Sequence, residues 1–320
     1  MRRFLLLCAK AGFSFLLLYI ALRAVDWSSV GARLEKADGA WLTTIVAILI
    51  VQVFLAAIRW REIVERCGAT LSLLDATRFN LIGSFFGQTL PSTVGGDAAR
   101  IVLLGRQIGG WSAATYSVLI DRVVGVTALA LLVVVCLPWS LALVRQPIGQ
   151  LALILVGVGS IGACIVFLAI GQIKSPWLTR RWALSHLIAA SKAAGSIAGS
   201  LRSGGSVLVL SLVIHLMSVA AAWAAARAVA APLDLALALF LIPPVILIAT
   251  IPISIAGWGV RENALIVAFG YAGLPETDGL IVSVLFGAGL FVVGVIGGVV
   301  WIVSSGARRA LAAPAPDPDP

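Results

Sequence analysis

Six ionisable residues fall where the sequence around them is almost wholly apolar, and their types suit the binding of a phosphate. Asp97 and Arg100 follow the break Leu90-Pro91-Ser92-Thr93-Val94-Gly95-Gly96. Asp121 and Arg122 lie inside a long apolar run. Arg261 and Glu262 follow a second break, Pro252-Ile253-Ser254-Ile255-Ala256-Gly257-Trp258-Gly259. Ionisable residues within membrane spans are rare, costly and functional by default. Arg100 and Arg261 stand in the first turn of the helix that each break starts, where a cation meets the positive end of the helix dipole. An arriving anion would answer that placement, and a phosphate matches both guanidinium groups and free backbone N–H groups. Pairing within the protein would answer it too: Asp97 with Arg100 or Arg122, and Arg261 with a carboxylate. Asp97 is also a favoured helix N-cap residue. The candidate substrate-binding set is Pro91, Ser92, Gly95, Gly96, Asp97, Arg100, Asp121, Arg122, Pro252, Ser254, Gly257, Gly259, Arg261 and Glu262. Lys10 and His215 also lie in apolar runs; a snorkelling lysine and a satisfied core histidine are the plainer readings of these two.

Other chemistries find little support. Gly157-Val158-Gly159-Ser160-Ile161-Gly162 has the spacing of a dinucleotide fingerprint but sits inside an apolar span, without a strand before it or an acidic partner after it. Two histidines, His186 and His215, and four cysteines without metal-ligand spacing offer no zinc site or catalytic triad. No catalytic residue, metal site or cofactor is expected.

The elements that must carry these residues are membrane helices. The chain has 320 residues, of which 61% are hydrophobic and 12% charged, and its mean hydropathy is +1.07. Soluble domains sit near 45–50% apolar and about 25% charged. A span needs about 20 mainly apolar residues. Six runs qualify: Phe4 to Val25, Ala40 to Ile58, Ala113 to Leu137, Gln150 to Gly171, Ser206 to Ala226 and Gly279 to Ser304. The N-terminal run reads as an uncleaved span, because Lys10 interrupts it and no small-residue cleavage site follows.

Two further apolar regions, Phe79 to Gly110 and Leu233 to Leu274, are broken in the middle. The leg from Phe79 to Leu90 and the leg from Asn263 to Leu274 are each too short to cross. Pro91 with Gly95-Gly96, and Pro252 with Gly257 and Gly259, read as turns; Pro243-Pro244 reads as a further break. Each region is thus a re-entrant helical hairpin, and irregular backbone in lipid implies that protein or a water-filled cavity surrounds both turns. Proline-kinked full spans would give a ten-span protein instead; the short legs favour hairpins. The predicted fold is an all-α integral membrane protein of about six transmembrane helices plus two re-entrant hairpins. With three crossings per half, the pseudo-repeats, about 1–140 and 148–308, form an inverted-topology repeat within one membrane domain, 1–311. Such repeats mark secondary transporters with a midplane substrate site. Residues 312–320 read as a disordered tail. The stretch Gln172 to Gly205 fits an interfacial or cytoplasmic helix.

The net charge of +9 reports topology, and no nucleic-acid partner is expected. With both termini inside, fifteen of the 23 basic residues, Arg59 among them, fall on inside segments. Five fall outside: Arg23, Arg33, Lys36, Arg145 and Arg227. That is the positive-inside pattern.

Leu90-Pro91-Ser92-Thr93-Val94-Gly95-Gly96-Asp97-Ala98-Ala99-Arg100, Asp121-Arg122-Val123-Val124-Gly125 and the segment from Pro252 to Glu262 together resemble the lysylphosphatidylglycerol synthase/flippase transmembrane family. The resemblance runs from the first span to about Arg309. It implies a multi-pass protein of a bacterial or archaeal cytoplasmic membrane that moves a phosphate-bearing lipid between leaflets. That family's flippase domains carry aminoacylated phosphatidylglycerol; isoprenoid- and hopanoid-linked lipids are alternatives for stand-alone members. The family's soluble synthase domain is not expected here. A lipid-modifying transferase, or an accessory subunit of a lipid- or glycan-assembly enzyme, is the other reading. The expected partners are a membrane lipid and, among proteins, a second copy or a lipid-biosynthesis enzyme.

Overall fold

The computed structural model describes residues 31, 33–90, 94–144, 146–173, 182–251, 254 and 257–304. Helices follow one another in the order α1 (Gly39–Arg66), α2 (Leu73–Thr89), α3 (Gly95–Ile108), α4 (Trp111–Leu143), α5 (Pro147–Ile170), α6 (Trp182–Ala198), α7 (Leu201–Ala228), α8 (Leu235–Ala249), α9 (Val260–Tyr271) and α10 (Glu276–Val303). No strand occurs among the described residues. The starts are written locally. Asp38 accepts from the Ala40 N–H, Ser72 from Asp75 and Asp234 from Leu237, so α1, α2 and α8 each begin on a side-chain cap.

Among the described residues, five helices are long and apolar enough to cross a membrane: α1, α4, α5, Gly204–Ala228 of α7, and α10. They cover five of the six apolar runs to within one residue; Phe4 to Val25 lies outside the described residues, as do Lys10 and the tail 312–320. α5 exposes Ile148, Leu151, Leu155, Val158, Ile165 and Val166, a surface only lipid can solvate. α6 occupies part of the polar stretch Gln172 to Gly205, and its Ser191 donates to the Phe167 carbonyl of α5.

The main core lies where α1, α7, α8, α9 and α10 meet, around Ile45, Leu49, Ala222, Leu265, Phe269 and Phe286. Lipid chains are as apolar as leucine, so helices here associate by close backbone approach rather than by hydrophobic expulsion. The alanine run of α7 serves this purpose: Ala221, Ala222, Ala224, Ala225 and Ala226 are all buried. α10 does the same with glycine. A Cβ on Gly297 would stand 1.8 Å from the Leu81 carbonyl of α2, and one on Gly298 would stand 2.8 Å from the Phe85 ring.

Each broken region is a pair of antiparallel legs packed on one another. In the first, Gly83 meets Gly96 and Arg100 near the turn, while Gln107 donates to Asp75 at the open end (3.2 Å). In the second, Gly257 lies against Ala249, and Phe240 and Leu241 share an apolar groove with Ala268 and Tyr271. Three expectations need correction. The first descending leg is α2, a 17-residue helix, not 12 residues, because the Ser72 cap starts it six residues before Phe79. Pro243 and Pro244 do not break the leg; α8 runs through both. Proline at 244 removes the N–H that would have bonded the Phe240 carbonyl, and Ser140 of α4 donates to that carbonyl instead (3.2 Å). Gly95 and Gly96, read as turn residues, are the first helical residues of α3, and neither has positive φ. Contact requires them: a Cβ on Gly96 would lie 2.3 Å from the Gly83 carbonyl oxygen, and one on Gly95 2.7 Å from Leu90 Cβ. The second turn does need conformational freedom, with φ of 80° at Gly257 and 83° at Gly259.

Candidate functional site

The charges of the first half form one buried network. Asp121 sits ten residues beyond the first residue of α4 and accepts from Arg59 Nε of α1 (2.8 Å) and from an Arg100 terminal nitrogen of α3 (2.9 Å). Arg100 also approaches Asp97 (3.6 Å), and Arg122 Nε donates to Asp97. Arg59, Asp97 and Asp121 are all buried. Arg59 donates further to Ser211 of α7 (3.0 Å), and the Arg100 guanidinium lies over the Trp60 ring (4.2 Å). Buried charges persist only when paired and hydrogen-bonded, and here every carboxylate holds two arginines or shares one.

This arrangement decides between the alternatives left by the sequence. Asp97 is not an N-cap: Val94 holds that position without a side-chain bond, and Asp97 stands at the third helical residue, aimed at arginines. The anion answering Arg100 is the protein's own. Arg59, counted with the inside loop charges, is a buried member of the network, because α1 continues seven residues beyond it to Arg66. A signal was present: Gln52, Ala56 and Arg59 recur at helical spacing and share one face of α1. His215 Nε2 donates to the Gly125 carbonyl oxygen (2.8 Å), a satisfied core histidine.

The second half repeats the plan more compactly. Glu262 opens α9 with a capping bond to the Gly259 N–H (2.6 Å) and accepts from Arg261 (2.8 Å) and Ser283 (2.9 Å). Arg261 Nε donates to Ser283 Oγ (3.1 Å), and its guanidinium lies 5.1 Å from the Trp258 ring centre. Ser283 and Gly287 of α10 escaped the sequence reading. A Cβ at Gly287 would stand 2.2 Å from an Arg261 nitrogen, so glycine makes the arginine's seat. Asp97 and Glu262 each occupy the third residue of the helix after a break, where a carboxylate suits the dipole. Ser254 is fully buried and its Oγ has no partner among the described residues. Pro91, Ser92 and Pro252 lie outside the described residues.

The two halves converge on one cavity of about 450 Å³. Arg122 and Arg261 both line it, with Gly87 and Gly257 from the two broken regions. The neutral polar groups of Gln52, Ser84, Gln88, Ser218 and Thr250 share the wall with apolar side chains such as Leu49 and Phe286. Arg122 also borders a second groove, against Ser160 and Cys164 of α5. Asp97, Arg100, Asp121 and Glu262 are absent from the lining and stand behind the two arginines. No group of three metal-ligating side chains occurs among the described residues.

Five apolar spans among the described residues, paired half-length helices and a buried charge network define a polytopic α-helical membrane protein. A sequence profile of the Lysylphosphatidylglycerol synthase TM region matches residues 7–298, and the chain belongs to that family. Its setting is therefore membrane-lipid biology. None of the curated proteins and none of the solved structures compared with the chain matches it.

Proposed function

We propose that the protein is a flippase, moving a phosphate-bearing lipid across the cytoplasmic membrane, with Arg122 and Arg261 receiving the headgroup phosphate. One observation carries the reading: two arginines, from opposite halves of the chain, line a single cavity of mixed polar and apolar wall inside an apolar helix bundle. Arg122 lies eleven residues beyond the first residue of α4, about 16 Å along its axis, inside a span of 33 residues that exceeds a hydrocarbon layer of roughly 30 Å. A binding site at the midplane, between two broken helices, is the geometry of alternating access. Guanidinium groups suit a phosphodiester, and each is already oriented by a carboxylate behind it. An inverted repeat with both termini cytoplasmic fits this mechanism, with α3 and α9 entering from opposite leaflets. Movement would be passive or ion-coupled.

The test is a proteoliposome assay with acyl-labelled phospholipids and an impermeant quencher outside. Protein-dependent exposure of inner-leaflet label is expected, and Arg122→Gln or Arg261→Gln should slow it at least about tenfold, the equivalent of one lost charge-assisted contact. Absence of exposure for every native phospholipid would end the flippase reading. Appearance of a covalently altered lipid in the same vesicles would point to the transferase instead.

A further inference from the structure

We infer that the lipid enters and leaves the cavity sideways, through a window between α4 and α5, with its glycerol end seated against Ser160, Ala163 and Cys164 and its phosphate on Arg122. This rests on the flippase reading for the cargo and adds the route. The window is a groove of about 270 Å³, lined by Arg122, Val123 and Val126 of α4 and by Ser160, Ala163 and Cys164 of α5. It lies between two places where the helices close. Toward one end, a Cβ on Gly157 would stand 3.2 Å from a Val133 methyl. Toward the other, Phe167 packs against the cluster that contains Ile120 of α4 and Ala194 of α6. From Gly157 to Phe167 the helix advances about 15 Å.

The groove and the central cavity share a wall. Among the described residues, Arg122 is the one side chain that lines both. It is 41% exposed and is held from behind by Asp97, so it stands on the sill between the two spaces. The wall of the groove is otherwise mostly apolar. Ser160 spends its proton on the Val156 carbonyl (2.6 Å), which leaves Arg122 as the strong donor for a phosphate there.

The other side of the groove meets lipid. Ile165 and Val166, on the same turn as Cys164, are each 60% exposed, whereas Cys164 is 8% exposed. The chain leaving the first apolar run is tied elsewhere: Arg33 pairs with Asp278 at the start of α10, a helix packed on α1, α2, α7 and α9. Acyl chains lose nothing by staying in hydrocarbon, but a phosphate without partners there is expensive. A side window meets both demands. The chains remain in the bilayer, and the headgroup alone moves past Arg122 toward Arg261.

A phosphatidylglycerol carrying a diazirine within a few bonds of its glycerol tests the window, because lipid around the bundle keeps its glycerol at the membrane surface. After irradiation of proteoliposomes, peptide mass spectrometry should find adducts on Ser160 and Ala163 at least about tenfold above those on Val166, a preference of about 1.4 kcal/mol. Val166 is the control, since it faces lipid nearer the helix end. Ala163→Trp fills the groove from an exposed position, and it should remove those adducts and slow lipid movement while thermal unfolding stays unchanged. Adducts no denser at Ser160 and Ala163 than at Val166, or adducts or movement undiminished by Ala163→Trp, would overturn the window. So would a Cys8–Cys164 disulfide formed on mild oxidation, which would give the groove to the protein's own first apolar run. Groove adducts that vanish in Ala163→Trp, without lipid movement in either protein, would instead remove transport and leave the lipid seat standing.

Discussion

Asp121 is the hinge of the first network, since one carboxylate orients arginines from two different helices. Asp121→Asn keeps the volume and removes the charge, leaving Arg59 and Arg100 facing one another in a buried setting. Breaking one side of a buried ion pair costs on the order of 3 kcal/mol. A clear loss of thermal stability in detergent is the expected outcome, greater than that of Arg61→Ala, whose pair with Glu65 is exposed. If Asp121→Asn melts like the unaltered protein, the network is not holding α1, α3 and α4 together. Gly96→Ala probes contact rather than charge. Its methyl would stand 2.3 Å from the Gly83 carbonyl, so the hairpin must open. A destabilisation of about 1–3 kcal/mol is expected, again read from thermal unfolding.

Elements carry a different lesson, in that helix continuity depends on neighbours. α8 holds two prolines within fifteen residues and remains a helix; Ser140 of α4 shares its one proton between the Cys136 carbonyl of its own helix and the Phe240 carbonyl that Pro244 leaves without its usual donor. Ser140→Ala should leave that carbonyl unpaired, at a cost of about 1 kcal/mol. Hydrogen exchange should speed up in residues 239–248 while α1 is unchanged; uniform protection across α8 would show that the serine is dispensable. α8 also divides two spaces. Ile246, Ala249 and Thr250 face the polar cavity, whereas Pro244, Val245 and Ile248 face the apolar groove beside Tyr271. Local opening of this helix would join the cavity lined by Arg122 and Arg261 to the apolar groove beside Tyr271.

For the whole molecule, topology is the decisive quantity. The open end of the first hairpin brings Asp75 and Gln107 together, so the starts of α2 and α4 lie at one end of the bundle. In a cysteine-free background, single cysteines at Ser72, Ser112 and Ser196 should label from the cytoplasm, and one at Thr277 from outside. Labelling of Ser112 from outside would make the first broken region a full crossing and would dissolve the inverted repeat. Labelling on the expected sides would place the starts of α3 and α9 in opposite orientations around the cavity.

Much of this was legible from residues alone. Composition dictated a membrane helix bundle, because no aqueous surface can be built from so few charges. The apolar runs marked the spans, since crossing length is fixed by bilayer thickness. The breaks at Pro91 and Pro252, with Asp97, Arg100, Asp121, Arg122, Arg261 and Glu262 around them, marked the charged centre, because lipid tolerates such residues only for a reason. Sequence could not decide what the glycines do. Gly96 and Gly257 look alike in a string, but one relieves a contact with Gly83 and the other adopts a left-handed turn. Nor could it assign partners, which come from helices distant in the chain: Arg59 to Asp121 across 62 positions, Ser140 to Phe240 across 100. Nor could it tell which charges face the cavity and which stand behind. Span length and residue cost are local properties of the chain in lipid. Pairing and exposure depend on which helix faces come together, and only the packed bundle decides that.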